Sequence, residues 1–238
     1  MSGGDAVAFD DEVAVRTALE DATHILSSVP PSGEGGDPVL QKYASAILAS
    51  DSSWVGYLSS TGVYGDAGGA WVDESAPVGE GRRTARADAD LAWQALRHDM
   101  RVFRLPGIYG PGRSALDRVQ DGKAHRIDMP GQIFSRIHVD DIVGAVIAAL
   151  DGPAGVYNIA DDLPASQNDV IEHACNLLDR EWPPLLSLEA AALSPMARGF
   201  YAENRRIANG KAKRLLAWQP RFANYRQGLQ TLLGDVRG

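Results

Sequence analysis

The chain is poor in cysteine and in lysine, and it has no long apolar run. A single cysteine, Cys175, among 238 residues excludes an internal disulfide framework. The longest apolar run, 142–150, is nine residues, well short of the ~20 a membrane-spanning helix needs. The N-terminus, MSGGDAVAFDDEV, is acidic and has no apolar centre, so it does not read as a signal peptide. Lysine stands only at 42, 123, 211 and 213, so the positive charges are mostly arginine. They are outnumbered by 31 carboxylates, for a net charge of -8, and no basic run offsets this. Nucleic acid is therefore excluded as the main partner. These features predict a soluble, cytoplasmic protein, monomer or homodimer, with a small-molecule substrate and no membrane partner.

Several catalytic patterns are also missing. Gly-x-Ser-x-Gly is absent, which argues against an α/β-hydrolase. The histidines at 24, 98, 125, 138 and 173 are scattered, so no catalytic triad is readable. His138 stands beside Asp140 and Asp141, but no further ligand cluster supports a metal. The two aspartates read as caps of the apolar helix 142–150.

What is present is an alternation of strand and helix patterns around one stretch, WVGYLSSTGVYG at 54–65. It begins as a buried strand and ends in hydroxyls and glycines, so Ser59, Ser60 and Thr61 emerge at a sharp turn. Short strands are expected at 6–9, 24–29, 101–105 and 156–159, with 133–139 a strand or extended loop. Helices are expected at 10–21, 39–49, 82–98, from 113 to 122, 142–150, 166–178, 208–216 and 224–234. Asp10 or Asp11 caps the first, Pro38 sits in the first turn of the second, and Ser166 with Asp169 caps the sixth. Alternation of this kind predicts a doubly wound parallel α/β sheet. Cys175 falls on the apolar face of its helix and reads as core.

Four segments carry a resemblance. They are SSTGVYG at 59–65, RLPGIYGPG at 104–112, RIHVDD at 136–141 and VYNIAD at 156–161. In order and spacing they resemble extended short-chain dehydrogenases/reductases, the NAD-dependent epimerase/dehydratase superfamily. More narrowly, the stretches around 65–74 and 194–204 resemble an atypical branch of it. The resemblance implies a Rossmann-like fold. Residues 1–160 would be a partial NAD(P)-binding domain, and 161–238 mainly a C-terminal substrate lobe interleaved with it. It implies NAD or NADP as cofactor and oxidoreduction, epimerisation or dehydration of a small polar or sugar-like substrate.

Two departures stand against it. Nothing before residue 24 supplies a strand, glycine loop and helix for a dinucleotide pyrophosphate. Gly62-x-x-Gly65-x-x-Gly68 has the right spacing, but no helix pattern follows, so it reads as a turn. By resemblance, 6–10 matches the third strand of the family fold. The chain is therefore expected to lack one βαβ unit of ~50 residues, leaving an open edge at 24–29. The superfamily's Tyr-x-x-x-Lys pair is missing as well. None of the seven tyrosines has lysine four residues on, and Arg82 and Arg86 stand at the two positions. Arg86 could replace the cation; Arg82 cannot shuttle a proton at neutral pH.

Carried over residue by residue, the resemblance implies catalytic Ser60, with Thr61 and Tyr64 beside it. The other reading of Ser60 is a turn cap, and that of Tyr64 is a packing residue. Ser27, Val29, Pro30, Ser59, Pro106, Gly107 and Ile108 would meet the cofactor. Arg113, Arg136, His138, Tyr201 and Asn204 would meet substrate, Arg113 at a helix start that suits a phosphate or carboxylate. The expected activity is impaired or lost. The alternative is a non-catalytic protein of the same fold that binds or senses a nucleotide or metabolite.

Overall fold

The computed structural model describes residues 6–32, 36–79 and 84–237. Helix α1 (Glu12–Glu20) starts where the Asp11 carboxylate accepts the Ala14 N–H at 3.1 Å. The expected strand at 6–9 does not form. The Tyr43 hydroxyl, not a neighbouring strand, satisfies the Phe9 carbonyl, and the two rings meet edge-on at 5.4 Å. Strand β1 (His24–Ser27) is followed by α2 (Pro38–Ala49). Asp37 caps that helix by accepting from Val39 and Leu40, each at 2.9 Å.

Strand β2 (Trp54–Ser60) ends in a single 3-10 turn, Thr61–Tyr64. Gly65 closes that turn at φ 69°, a left-handed conformation that glycine adopts without strain. No helix follows, so the glycine spacing at 62–68 is indeed a turn. Then come β3 (Trp71–Val72), α3 (Thr84–Leu96), β4 (Met100–Leu105), β5 (Gly107–Tyr109), α4 (Ala115–Gln120), β6 (Arg126–Ile127) and β7 (Arg136–His138). Helix α5 (Val139–Ala148) starts three residues before the expected 142. Its cap is His138, not Asp140 or Asp141: the imidazole Nδ1 accepts the Asp140 N–H at 3.2 Å. Asp141 instead accepts the N–H groups of Arg221 and Phe222, tying a distant loop to α5. The chain ends through β8 (Gly155–Asn158), α6 (Gln167–Leu177), β9 (Leu185–Leu186), α7 (Pro195–Phe200), β10 (Arg206–Ile207), α8 (Gly210–Leu215) and α9 (Tyr225–Arg237). The capping box expected of Ser166 and Asp169 is present at α6.

The central sheet is parallel throughout, in the order β1-β2-β4-β8. On one face α2 and α3 bring Tyr43, Ile47 and Trp93 against Val55, Tyr57 and Val102, with Tyr57 and Trp93 stacked at 5.1 Å. On the other, α5 and α8 cover Trp54, Phe103 and Tyr157. The Trp54 ring lies over Gly56, where any Cβ would overlap it. A third cluster joins α4, α6 and α9 around Ile171, Tyr225 and Leu229, and it contains Cys175. Each buried aromatic contributes on the order of 2–3 kcal/mol.

One polar network crosses this apolar interior. Arg104 of β4 donates twice to Asp90 of α3, at 2.7 and 3.1 Å. Ser59 of β2 donates to the same carboxylate at 2.5 Å. Arg104 also donates to the Tyr64 hydroxyl at 3.0 Å, and Tyr64 donates to Asn158 of β8 at 2.7 Å. Burial works against the Arg104 charge, but the Asp90 carboxylate more than offsets it and raises the guanidinium above its ordinary value. Removing one member of such a pair leaves the other charged and buried. Arg104→Gln is therefore expected to destabilise the fold by about 3 kcal/mol or more in urea titration. Lys42→Ala, at the exposed pair with Asp10, should shift the urea midpoint far less, because solvent screens that pair.

Candidate functional site

The parallel sheet delivers β1, β2 and β4 to one rim, and there the chain opens a cleft of about 930 Å³. In open α/β sheets this rim is where ligands bind. Its floor is made by the strand ends and the segments that follow them: Pro30 after β1, Ser59, Ser60 and Thr61 at the end of β2, and Pro106, Gly107 and Ile108 where β4 passes into β5. Its far wall comes from α4, α6, α7 and α9, and includes Arg113, Arg136 and Tyr201. The structure thus gathers ten of the residues singled out in the sequence around one space.

The hydroxyls on the floor are not equivalent. Ser59 gives its proton to Asp90 and is committed to the buried network. Ser60 caps the 3-10 turn by accepting the Gly62 N–H at 3.1 Å, and this leaves its own proton available to a ligand. The Thr61 hydroxyl makes no hydrogen bond among the described residues. Tyr64 does not line the cleft; it is buried against Arg104 and Asn158.

Four other residues also lie outside the cleft lining. Ser27 is buried with its hydroxyl unpartnered, and neither it nor Val29 lines the space; Ser28 and Pro30 do. His138 is spent on capping α5 and packs edge-on against Phe222 and Tyr109, at 4.4 and 5.1 Å. Asn204 joins two loops. It donates to the Gly131 carbonyl at 2.9 Å, and its backbone carbonyl accepts from Ala67 and Gly69.

The far wall contains further groups that no sequence motif marks. Arg118, Lys123 and His125 line it, as do Phe134 and Tyr225. Arg118 lies in a helix expected from the sequence, but only the packing of α4 against α6 and α9 turns it toward the strand ends. Tyr201 meets Phe134 edge-on at 5.4 Å. Arg86, aligned with the family lysine, does reach the cleft. Arg82 lies outside the described residues. No tyrosine on the wall is tuned toward proton transfer: burial pushes Tyr109 well above its ordinary value and raises Tyr201 and Tyr225 too.

Arg136 is 7% exposed. Its guanidinium donates to the carbonyls of Phe134 and Ala165, each at 2.9 Å, and to Gln167 Oε1 at 3.1 Å. Burial pushes it down to about 10, so it stays charged at neutral pH. Asp161, after β8, is buried with one carboxylate oxygen unpartnered; burial pushes it up to about 7, against the pull of the Leu163 N–H and Arg136. Among the described residues no group of acidic, histidine or cysteine side chains could hold a metal ion, and no helix is long and apolar enough to cross a membrane.

No family model matches the chain. A solved structure of a functionally unknown conserved protein from Silicibacter pomeroyi DSS is 42% identical, with a TM-score of 0.86 over 99% of this chain and 82% of that one. The chain belongs to that protein's family. A 3-diazoavenalumate denitrifying reductase from Streptomyces sp is 34% identical over 160 residues, 61% of this chain. The chain spans about half of that relative, 52% of its length. The dTDP-glucose 4,6-dehydratase of Streptomyces venezuelae, solved with NAD and TYD bound, superposes with a TM-score of 0.78 at 18% identity, over 95% of this chain and 77% of that one. This likeness shows a Rossmann-like fold, in line with the resemblance of the four sequence segments.

The Asp161 carboxyl gives a measurable pH signature. The folded chain holds this proton up to about pH 7, whereas an unfolded aspartate releases it near about pH 4. Its contribution to stability is full at acid pH and is lost as the pH rises toward 7. The stability of the wild type relative to Asp161→Asn is therefore expected to fall between pH 4.5 and 7.5 in urea titrations. An unchanged difference would remove the assignment.

Proposed function

We propose that the chain is an NAD(P)-dependent oxidoreductase- or epimerase/dehydratase-like protein, with the strand-end cleft as its site. The observation that carries this reading is the cleft floor. Unspent hydroxyls at Ser60 and Thr61 face the Pro106-Gly107-Ile108 turn across the carboxyl ends of β2 and β4. In this reading the nicotinamide half of the cofactor would lie against 106–108, with Pro30 and Ser28 beside its ribose. The bound cofactor supplies hydride exchange; Ser60 and Thr61 orient the reacting oxygen. The dehydratase with NAD bound and the relative called a reductase support it. Residues 161–238 would form most of a substrate lobe. The family resemblance implies a small polar substrate, sugar-like in the solved dehydratase.

The fit to the cofactor is partial. The sequence between β1 and α2 is glycine-rich, but the start of α2 offers nothing to a pyrophosphate. The Asp37 carboxylate already fills it, and Pro38 has no N–H to give. On the reacting side, Arg86 can supply a cation, but no cleft tyrosine is lowered toward neutral pH. We infer weak cofactor binding by these residues and a catalytic step that is lost or altered. The second reading, a non-catalytic nucleotide or metabolite sensor, is favoured by the same missing proton shuttle.

Calorimetric titration of the 238-residue chain with NAD and NADP is expected to give dissociation constants of ~100 μM or weaker. Micromolar binding would contradict the weak-binding reading. Turnover of an alcohol or sugar nucleotide that disappears in Ser60→Ala would exclude the sensor.

A further inference from the structure

The chain carries a net charge of -8, yet its cleft is cationic. Six arginines and lysines line it, at 86, 113, 118, 123, 136 and 205, against one carboxylate, Glu203. Arg205 holds that carboxylate at 2.8 Å, and Lys123 pairs with Asp121 at the rim. Arg86, Arg113, Arg118 and Arg136 have no carboxylate within ion-pair distance among the described residues. Arg136 is the costliest of these, because it is nine-tenths buried and its hydrogen-bond partners among the described residues are uncharged carbonyls and a carboxamide. The carboxyl that most favours its charge, Asp161, itself retains a proton up to about pH 7. A buried, uncompensated guanidinium beside two exposed ones at the same wall is what an arriving anion would neutralise.

The rest of that wall is unsuited to a sugar. Hydroxyl-rich ligands are commonly held by acceptors such as free carboxylates and carboxamides. Here Gln167 is bound to Arg136 and Glu203 to Arg205, while Ser114 is closed in a capping box with Asp117. What remains toward the space is apolar and aromatic: Phe134, Tyr201, Tyr225, Val170 and Leu229. We propose that the substrate end of the cleft takes an organic anion, carboxylate or phosphate, on a flat apolar body, with Arg113 and Arg118 meeting the charge, the buried charge of Arg136 adding to their field, and Phe134, Tyr201 and Tyr225 meeting the body. This rests on the strand-end cleft being the site, and it replaces the sugar-like substrate of the resemblance.

The test is calorimetry on the full chain with trans-cinnamate, phenyl phosphate, cinnamyl alcohol and methyl glucoside, and NAD titrated separately. The expected result is binding of cinnamate or phenyl phosphate at least ten-fold tighter than of cinnamyl alcohol, with no saturable binding of the glucoside. Whichever anion binds names the headgroup. The double variant Arg113→Ala/Arg118→Ala changes two exposed side chains, and it should remove that ten-fold difference while leaving the alcohol unaffected. Equal binding of the neutral alcohol, tighter binding of the glucoside, or no binding of either anion at millimolar concentration overturns the proposal. Anion binding without NAD binding counts against the cofactor reading and leaves this one standing; NAD binding without anion binding does the reverse.

Discussion

Asp90 and Arg104 meet in the interior with 0% and 3% of their side chains exposed, and much of the sheet is arranged to make that tolerable. The guanidinium has five donors in a fixed fork, and a buried fork must find acceptors. Two donors go to Asp90 and one to Tyr64. The carboxylate takes further hydrogen bonds from Ser59 and Gln94. Tyr64 passes the chain to Asn158, whose N–H donates to Glu74 and whose amide donates to the Ala208 carbonyl. In this way β2, α3, β4 and β8 and the segments at 74 and 208 are fixed relative to one another by satisfied polar groups. A half-satisfied version would be worse than an apolar core, so the network specifies one register of parts.

The same network decides what the strand ends can offer. Ser59 is used inside, so the backbone turn that follows brings Ser60 and Thr61 to the cleft. Tyr64, three residues farther on, is drawn inward by Arg104 and cannot serve there. Rigid strand ends carrying two unspent hydroxyls face a wall built by a different part of the chain, the α4, α6 and α9 cluster. That wall concentrates positive charge in a chain that is acidic as a whole. Low-dielectric walls focus such a field and draw anions toward the strand ends.

The elements with strong local signals were legible in the residues. The capping box at Ser166 and Asp169, Pro38 at the start of α2 and the buried run of β2 each specify their structure within a few positions. Four motifs in order were enough for a parallel, Rossmann-like arrangement, and the glycine spacing at 62–68 was correctly a turn because no helical pattern followed it. Local pattern is overruled where a distant partner decides the outcome. Residues 6–9 have strand-like composition, but Tyr43 takes the Phe9 carbonyl. Asp140 and Asp141 have the composition of caps, yet His138 caps α5 and Asp141 is claimed by the backbone eighty positions on, at 221 and 222.

The site divides along the same line. Ser59, Ser60, Thr61, Pro106, Gly107 and Ile108 follow from the sequence, because a strand that ends in hydroxyls or in Pro-Gly must deliver them to the sheet's carboxyl rim. The sequence by itself also determined that no tyrosine–lysine pair exists, since that is a matter of spacing. Only the tertiary structure decided which hydroxyls are spent, which arginines are left without a carboxylate, and that Arg118, Phe134 and Tyr225 share a wall with Arg136. Those outcomes depend on side-chain partners and helix packing between residues that are remote in the chain, and neither periodicity nor motif spacing carries that information.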